Sequence, residues 1–300
     1  MISKIGYMGF YFLSWIAWAL PLRVAYGISD LFYLIIYRIG NYRVKVVRQN
    51  LQNAFPEKTK EERLAIEKKF YKHLCDLFIE SMQLLHMTKK DIKRRFKYTN
   101  IEVFQKYYAE NRHVVVVLGH YGNWELNIGF PLWCGFRTLA TYKPLNNLHF
   151  NKKMQESRGK FGVEAVSMKQ TAKKMFESAR IQPTVLALIA DQAPMESESD
   201  FWTKFLNQNT SVFLGPEKIA QKLNAPVIFL DITKPKRGFY EIEAKVLFDQ
   251  SKNTQPLEIT KAHVKSLEDQ IKGQPEYWLW SHRRWKRSMP KTATLQNIHE

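Results

Sequence analysis

Gly119-His120-Tyr121-Gly122-Asn123-Trp124-Glu125 is the stretch of this chain that best combines groups able to do chemistry. Two glycines flank an imidazole, which lets backbone approach a ligand closely. Glu125 lies five residues after His120. On one continuous helix that spacing sets the side chains about 140° apart, so they share no face. With His120 in a turn and Glu125 in the first turn of a following helix, they can meet. The carboxylate then accepts from one ring nitrogen and fixes the tautomer, and the other nitrogen is free to take a proton. A plainer reading stays open: a lone histidine after a strand serves packing more readily than chemistry, and a perturbed imidazole is only a probabilistic marker of function.

The chain has no G-x-S-x-G elbow, P-loop, G-x-G-x-x-G or H-E-x-x-H. Without an obvious nucleophile, a His–Glu pair suits direct transfer, in which the base deprotonates a substrate hydroxyl that attacks an activated acyl group. Backbone N–H groups from Gly119 to Gly122 are candidate oxyanion donors. No metal or other cofactor is expected: no second histidine lies at ligand spacing, and the two cysteines form no CxxC.

The elements that must position this stretch follow from pattern. Val114 to Leu118 (VVVVL) is short, β-branched and wholly apolar, as a strand buried on both faces should be. Thr138 to Tyr142, Thr184 to Ala190 and Pro226 to Ile232 read as further strands, and Phe239 to Phe248 alternates like an outer one. Thr59-Lys60-Glu61-Glu62 is a capping box that starts a helix near Lys60, and Thr88 to Asp91 caps a short basic helix less strictly. Asn147 to Lys160, Pro216 to Leu223 and Glu258 to Lys272 complete the helices. Strands alternating with helices predict an α/β fold: a mixed, mainly parallel central sheet flanked by helices. Ligands of such sheets bind beyond the carboxyl ends of the strands. The segments that follow the buried runs are Gly119 to Glu125, Lys143-Pro144 and Asp191-Gln192.

Lys and Arg number 46 against 28 Asp and Glu, a net charge of +18. Such an excess calls for a polyanionic partner. Nucleic acid is not expected, because no zinc-finger spacing, basic region with heptads or RNA-binding aromatic signature is present. The N-terminus suggests a membrane instead. Ile5 to Leu20 carries no charge, Pro21 to Arg23 interrupts it, and Val24 to Tyr37 continues with Asp30 as its one charge. A spanning helix needs roughly 20 apolar residues, so the first stretch is marginal. A buried helix or a cleaved signal are the competing readings, although only Lys4 precedes the run and no A-x-A follows. Residues 1–40 are taken as an N-terminal membrane-anchoring helical segment and 41–300 as one catalytic domain. Arg23, Arg38, Arg43, Lys45 and Arg48 behind the anchor, against Lys4 before it, put the body on the cytoplasmic side of an inner membrane.

The segment Gly119 to Glu125 resembles the H-x4-D/E motif of glycerolipid acyltransferases, in the G-H-x-G-N-W-E form of the bacterial lipid A biosynthesis (late) acyltransferase family. Arg43 to Leu51 with Phe55-Pro56, Tyr142-Lys143-Pro144, Arg158, Asp191-Gln192, Phe213 to Pro216, Ala225 to Val227 and Trp280 to Lys286 resemble that family's other segments, in its order. The resemblance spans roughly residues 5 to 287. It implies that His120 is the general base and Glu125 its orienting partner. It implies substrate contacts for Arg158, Lys143, Asp191, Gln192, Gly122, Asn123 and Trp124. It further implies acyl-carrier protein as donor and a lipid A precursor as acceptor. Acyl-CoA, and another phospholipid, aminolipid or glycolipid acceptor, form the alternative. Lys143 stands where the family more often has Arg, turning a bidentate phosphate grip into a point charge. The stretch after Gln192 is long and acidic, with Glu196, Glu198 and Asp200. The closing basic run suits membrane headgroups and substrate phosphate equally. An apolar groove for the acyl chain is expected near Trp124, Leu126 and Ile128.

Overall fold

Local pattern decides most elements of the chain. A computed structural model describes residues 2–142, 147–195 and 201–298. The helices are α1 (Ile2–Ala19), α2 (Leu22–Tyr33), α3 (Val44–Ala54), α4 (Lys60–Leu84), α5 (Lys89–Arg95), α6 (Glu102–Ala109), α7 (Leu148–Gly159), α8 (Thr171–Ala179), α9 (Gly215–Leu223) and α10 (Glu258–Gly273). The strands are β1 (Phe96–Thr99), β2 (Val114–Leu118), β3 (Arg137–Tyr142), β4 (Val163–Ser167), β5 (Thr184–Ile189), β6 (Phe201–Phe205), β7 (Gln208–Val212), β8 (Val227–Lys236), β9 (Phe239–Phe248) and β10 (Leu295–Gln296). Both expected capping boxes form, Thr59 with Glu62 and Thr88 with Asp91. Each satisfies two otherwise orphaned backbone donors.

Seven strands make one sheet in the order β1-β9-β8-β2-β5-β3-β4, parallel at every pairing except the β8–β9 hairpin. β2 is central and all five of its residues are buried. Each buried Val or Leu there contributes about 1.5–3 kcal/mol of apolar transfer, which is why so continuous an apolar run folds to the middle. β9 is not the outer strand its alternation predicts, because β1 pairs along its far side. A second, three-stranded sheet runs β10-β6-β7. Phe201 to Thr203 belong to it, and Glu196, Glu198 and Asp200 of the acidic stretch before them lie outside the described residues.

The N-terminal helices pack against α4 with their polar side inward. Ser14 bonds the His86 ring at 2.7 Å, and α2 buries Ala25, Tyr26, Ser29 and Tyr33. Their outer side is apolar: Phe12 is 66% exposed, and Met8, Leu13, Trp15, Ile16, Val24 and Leu31 are exposed with it. That reverses the pattern of a helix on a water-facing surface. A spanning anchor is not what forms. The helix α1 ends at Ala19 and Pro21 precedes α2 in an extended conformation. At 1.5 Å per residue, 18 residues reach about 27 Å, short of the roughly 30 Å hydrocarbon layer. Among the described residues no helix is long and apolar enough to cross a membrane.

Candidate active site

β2 and β5 are parallel neighbours, with Leu118 opposite Ile189. His120 and Asp191 each lie two residues beyond that pair, so the two chain exits bring them together at the carboxyl edge of the sheet. The His120 Nδ1 is 2.6 Å from Asp191 Oδ1, and the His120 backbone N–H donates to Asp191 Oδ2 at 2.8 Å. The indole N–H of Trp278 donates to the same oxygen at 2.8 Å. These donors, with the charge of His120, outweigh burial and hold the Asp191 carboxyl down at about 2. An ionised carboxylate only accepts, so Nδ1 carries the proton and Nε2 is the free basic nitrogen. The Gln192 amide donates to Nε2 at 3.2 Å and must give way to any hydroxyl that approaches it. Burial works to lower the imidazole pKa, but Asp191 and the charge of Glu125 carry it above the ordinary value.

This corrects the expected pairing. Glu125 opens a 3-10 helical segment, Trp124–Leu132, as anticipated, but its carboxylate oxygens each lie 3.3 Å from the Arg158 guanidinium. The orienting position on the imidazole belongs to Asp191, brought from 71 residues away by strand pairing. The equal offset of His120 and Asp191 from two buried apolar runs is the sequence signal that could have found it. The expected oxyanion donors are also partly occupied: the His120 N–H goes to Asp191 and the Gly122 N–H to the Tyr277 carbonyl at 3.0 Å. Gly122 has φ +55°, and a Cβ there would meet Ile232 at 2.7 Å, so the turn requires glycine. Asn123 is buried, and its side-chain amide donates to Glu80. Lys143 lies outside the described residues.

The His120 ring stands edge-on to Trp124, with centroids 5.0 Å apart. Behind Trp124 is an apolar slot between the sheet and the Trp124–Leu132 segment. Ile128, Phe130, Ala140, Ala187 and Ile189 line it, and Glu125 and Arg158 are its charged lining groups. Its walls suit an apolar group. Leu126, expected at such a groove, is instead fully buried and is not among its lining residues.

Within the closing run, Arg283 and Lys286 are exposed, whereas Arg284 and Trp280 turn inward. Arg284 is 4% exposed and donates to the Ser211 carbonyl, and burial pushes its pKa down to about 10. Trp280 is buried, and Trp285 donates to Thr210. The run is bolted down from α3: Asn50 donates to the Trp280 and His282 carbonyls at 2.8 and 3.1 Å, and Arg43 to that of Ser281 at 3.0 Å. Thus the segment after the N-terminal helices and the closing run, far apart in sequence, together support Trp278 against Asp191.

Comparison with known proteins identifies the family. Residues 2–287 match the family described as bacterial lipid A biosynthesis acyltransferase. The lipid A biosynthesis palmitoleoyltransferase of Escherichia coli (strain K12) is 23% identical over 252 residues, 81% of this chain and 79% of that protein. The lipid A biosynthesis acyltransferase of Shigella flexneri matches to the same extent. Among solved structures, the 1-acyl-sn-glycerophosphate acyltransferase of Thermotoga maritima is 12% identical with a TM-score of 0.36, over 85% of this chain and 98% of that one. With its match running over nearly its whole length, the chain belongs to the bacterial lipid A biosynthesis acyltransferase family and is an acyltransferase enzyme.

Proposed function

We propose that this enzyme moves a fatty acyl chain from the thioester of acyl-carrier protein to a hydroxyl of a lipid A precursor. The observation that carries the reading is an imidazole whose Nε2 is unprotonated, held through Nδ1 by a buried carboxylate, beside an apolar slot. His120 Nε2 takes the hydroxyl proton as the oxygen attacks the thioester carbonyl. The tetrahedral intermediate collapses, the C–S bond breaks, and the departing thiolate recovers the proton from His120. Asp191 stabilises the imidazolium that forms in between. The acyl chain lies in the slot, and Arg158, paired with Glu125, presents a cation at its lining. No acyl-enzyme forms, because the acceptor oxygen is itself the nucleophile.

Residues 1–40 would seat the body, residues 41–300, on the cytoplasmic face of the inner membrane. Support comes from the outward apolar side of α1 and α2, together with the basic helix α5 (KKDIKRR) next in the chain after α4. Exposed apolar side chains together with exposed lysine and arginine suit an anionic bilayer surface. The +18 charge equally suits an acidic carrier protein.

The test is lipid A mass spectrometry of a deletion strain carrying the wild-type or the His120→Ala chain, with purified enzyme offered acyl-carrier-protein and CoA thioesters. One acyl chain restored by wild type and not by His120→Ala is expected, with the carrier-protein thioester preferred. Restoration by folded His120→Ala overturns the base, and an unchanged lipid A in the deletion strain overturns the acceptor.

A further inference from the structure

Among the titratable side chains that α4 buries, His73, Asp76 and Glu80 lie at i, i+3 and i+7 on one face. Burying charge is costly unless every partner is supplied, so such a stripe asks what it holds. Glu80 is 0% exposed. Its Oε2 accepts from the Asn123 side-chain amide at 2.5 Å and the Tyr240 hydroxyl at 2.8 Å. Its Oε1 accepts from the Tyr26 hydroxyl at 2.7 Å, and Arg95 lies 3.3 Å away. His73 Nδ1 is 3.1 Å from the Lys234 ammonium, which can only donate. Nδ1 therefore accepts, and Nε2–H donates to the Gly122 carbonyl at 3.2 Å. Asp76 accepts from Ser29 at 2.8 Å, Lys234 at 3.3 Å and Arg237 at 2.6 Å.

Two consecutive residues of the histidine loop are thus held by α4, Gly122 through its carbonyl and Asn123 through its amide. The same stripe is held from behind by Tyr26 and Ser29 of α2, whose outer side is apolar and exposed. We propose that His73 and Glu80 are positioning residues for acyl transfer, and that Tyr26 makes the placement of the histidine loop depend on the seating of α2. The inference rests on the reading of His120 as the base. A displacement of about 1 Å in such a loop can cost on the order of a hundredfold in rate, so the stripe acts on turnover rather than on substrate affinity.

The experiment measures kcat and KM for the thioester donor, per folded molecule, on purified full-length variants. His73→Leu removes both ring contacts, whereas His73→Gln restores a donor for Gly122 and an acceptor for Lys234. We expect His73→Leu to lose kcat by about tenfold to a hundredfold with little change in KM, and His73→Gln to recover most of it. Equal kcat for His73→Leu and wild type overturns the proposal, as does failure of the glutamine to rescue. Should His73→Leu not fold, Tyr26→Phe and Asn123→Ala decide. Both act through one carboxylate, so their effects on kcat must be non-additive, and additive effects or unchanged kcat overturn the proposal. His120→Ala in the same assay separates the two readings. If it retains transfer, the base assignment fails; if it is inactive while the stripe variants turn over normally, only this inference fails.

Discussion

Asp191→Asn preserves shape and removes one acceptor oxygen, and the consequence can be worked through atom by atom. Asp191 receives three hydrogen bonds, two from the His120 N–H and the Trp278 indole on Oδ2, and one from Nδ1 on Oδ1. If the amide keeps its oxygen toward Nδ1, its NH2 faces two donors. Each buried donor left unpaired costs about 1–3 kcal/mol. If it turns the oxygen to those two donors, its NH2 faces Nδ1, which must then accept, and the proton moves to Nε2. The base nitrogen is then occupied. Holding the productive tautomer therefore costs about 2–6 kcal/mol, a loss of about thirtyfold to twenty-thousandfold in kcat. Removal of the Asp191 charge also leaves burial to dominate the imidazole, so the pKa of His120 falls. The assay is single-turnover transfer from a carrier-protein thioester across pH, with folding checked by thermal melting. The expected result is a large loss of rate, with the residual acid limb moved to lower pH. A folded Asn variant with wild-type kcat refutes the tautomer argument. A severe loss in Glu125→Gln beside a mild one in Asp191→Asn would give the orienting role to Glu125.

In the wild-type enzyme, activity should rise with pH through a value above the ordinary histidine pKa, since only neutral His120 accepts the proton. The His120 contribution to stability should run the other way, and that of Asp191 the same way at lower pH. The raised His120 pKa stabilises the fold below the ordinary value, and this is lost as pH rises through the folded pKa; the Asp191 contribution is lost as pH falls from the ordinary carboxylate range toward about 2. Thermal melts across pH measure both. Ala187→Phe, placed opposite Ala140 in the lining of the slot, should shift donor preference to shorter acyl chains at about 1–3 kcal/mol of overpacking; an unchanged chain-length profile removes the slot from the reading. Phe12→Glu with Leu31→Glu should abolish co-sedimentation with anionic vesicles while leaving the melting temperature within a few degrees, because both side chains face outward; full vesicle binding by the double variant would refute the membrane seat.

What the sequence by itself determined is what neighbouring residues decide. The apolar runs of β2, β5 and β8 and the capping boxes at Thr59 and Thr88 are local patterns, and each formed where it was read. The histidine motif fell at the carboxyl end of the central strand for the same reason, since a buried strand must exit into polar loop. Short strands with little pattern, β1 and β4, were not legible, because their place comes from pairing with β9 and β3. Tertiary structure set Asp191 rather than Glu125 on the imidazole, because the parallel register of β2 and β5 brings their two chain exits together. It turned the closing arginine Arg284 inward, where Asn50 and Arg43 of a distant segment fix the run beside it. It also set the polar side of α2 against Asp76 and Glu80. A through-space carboxylate leaves no periodicity in the helix that finds it, so no reading of the apolar pattern near residue 26 reveals that the partner is at 80.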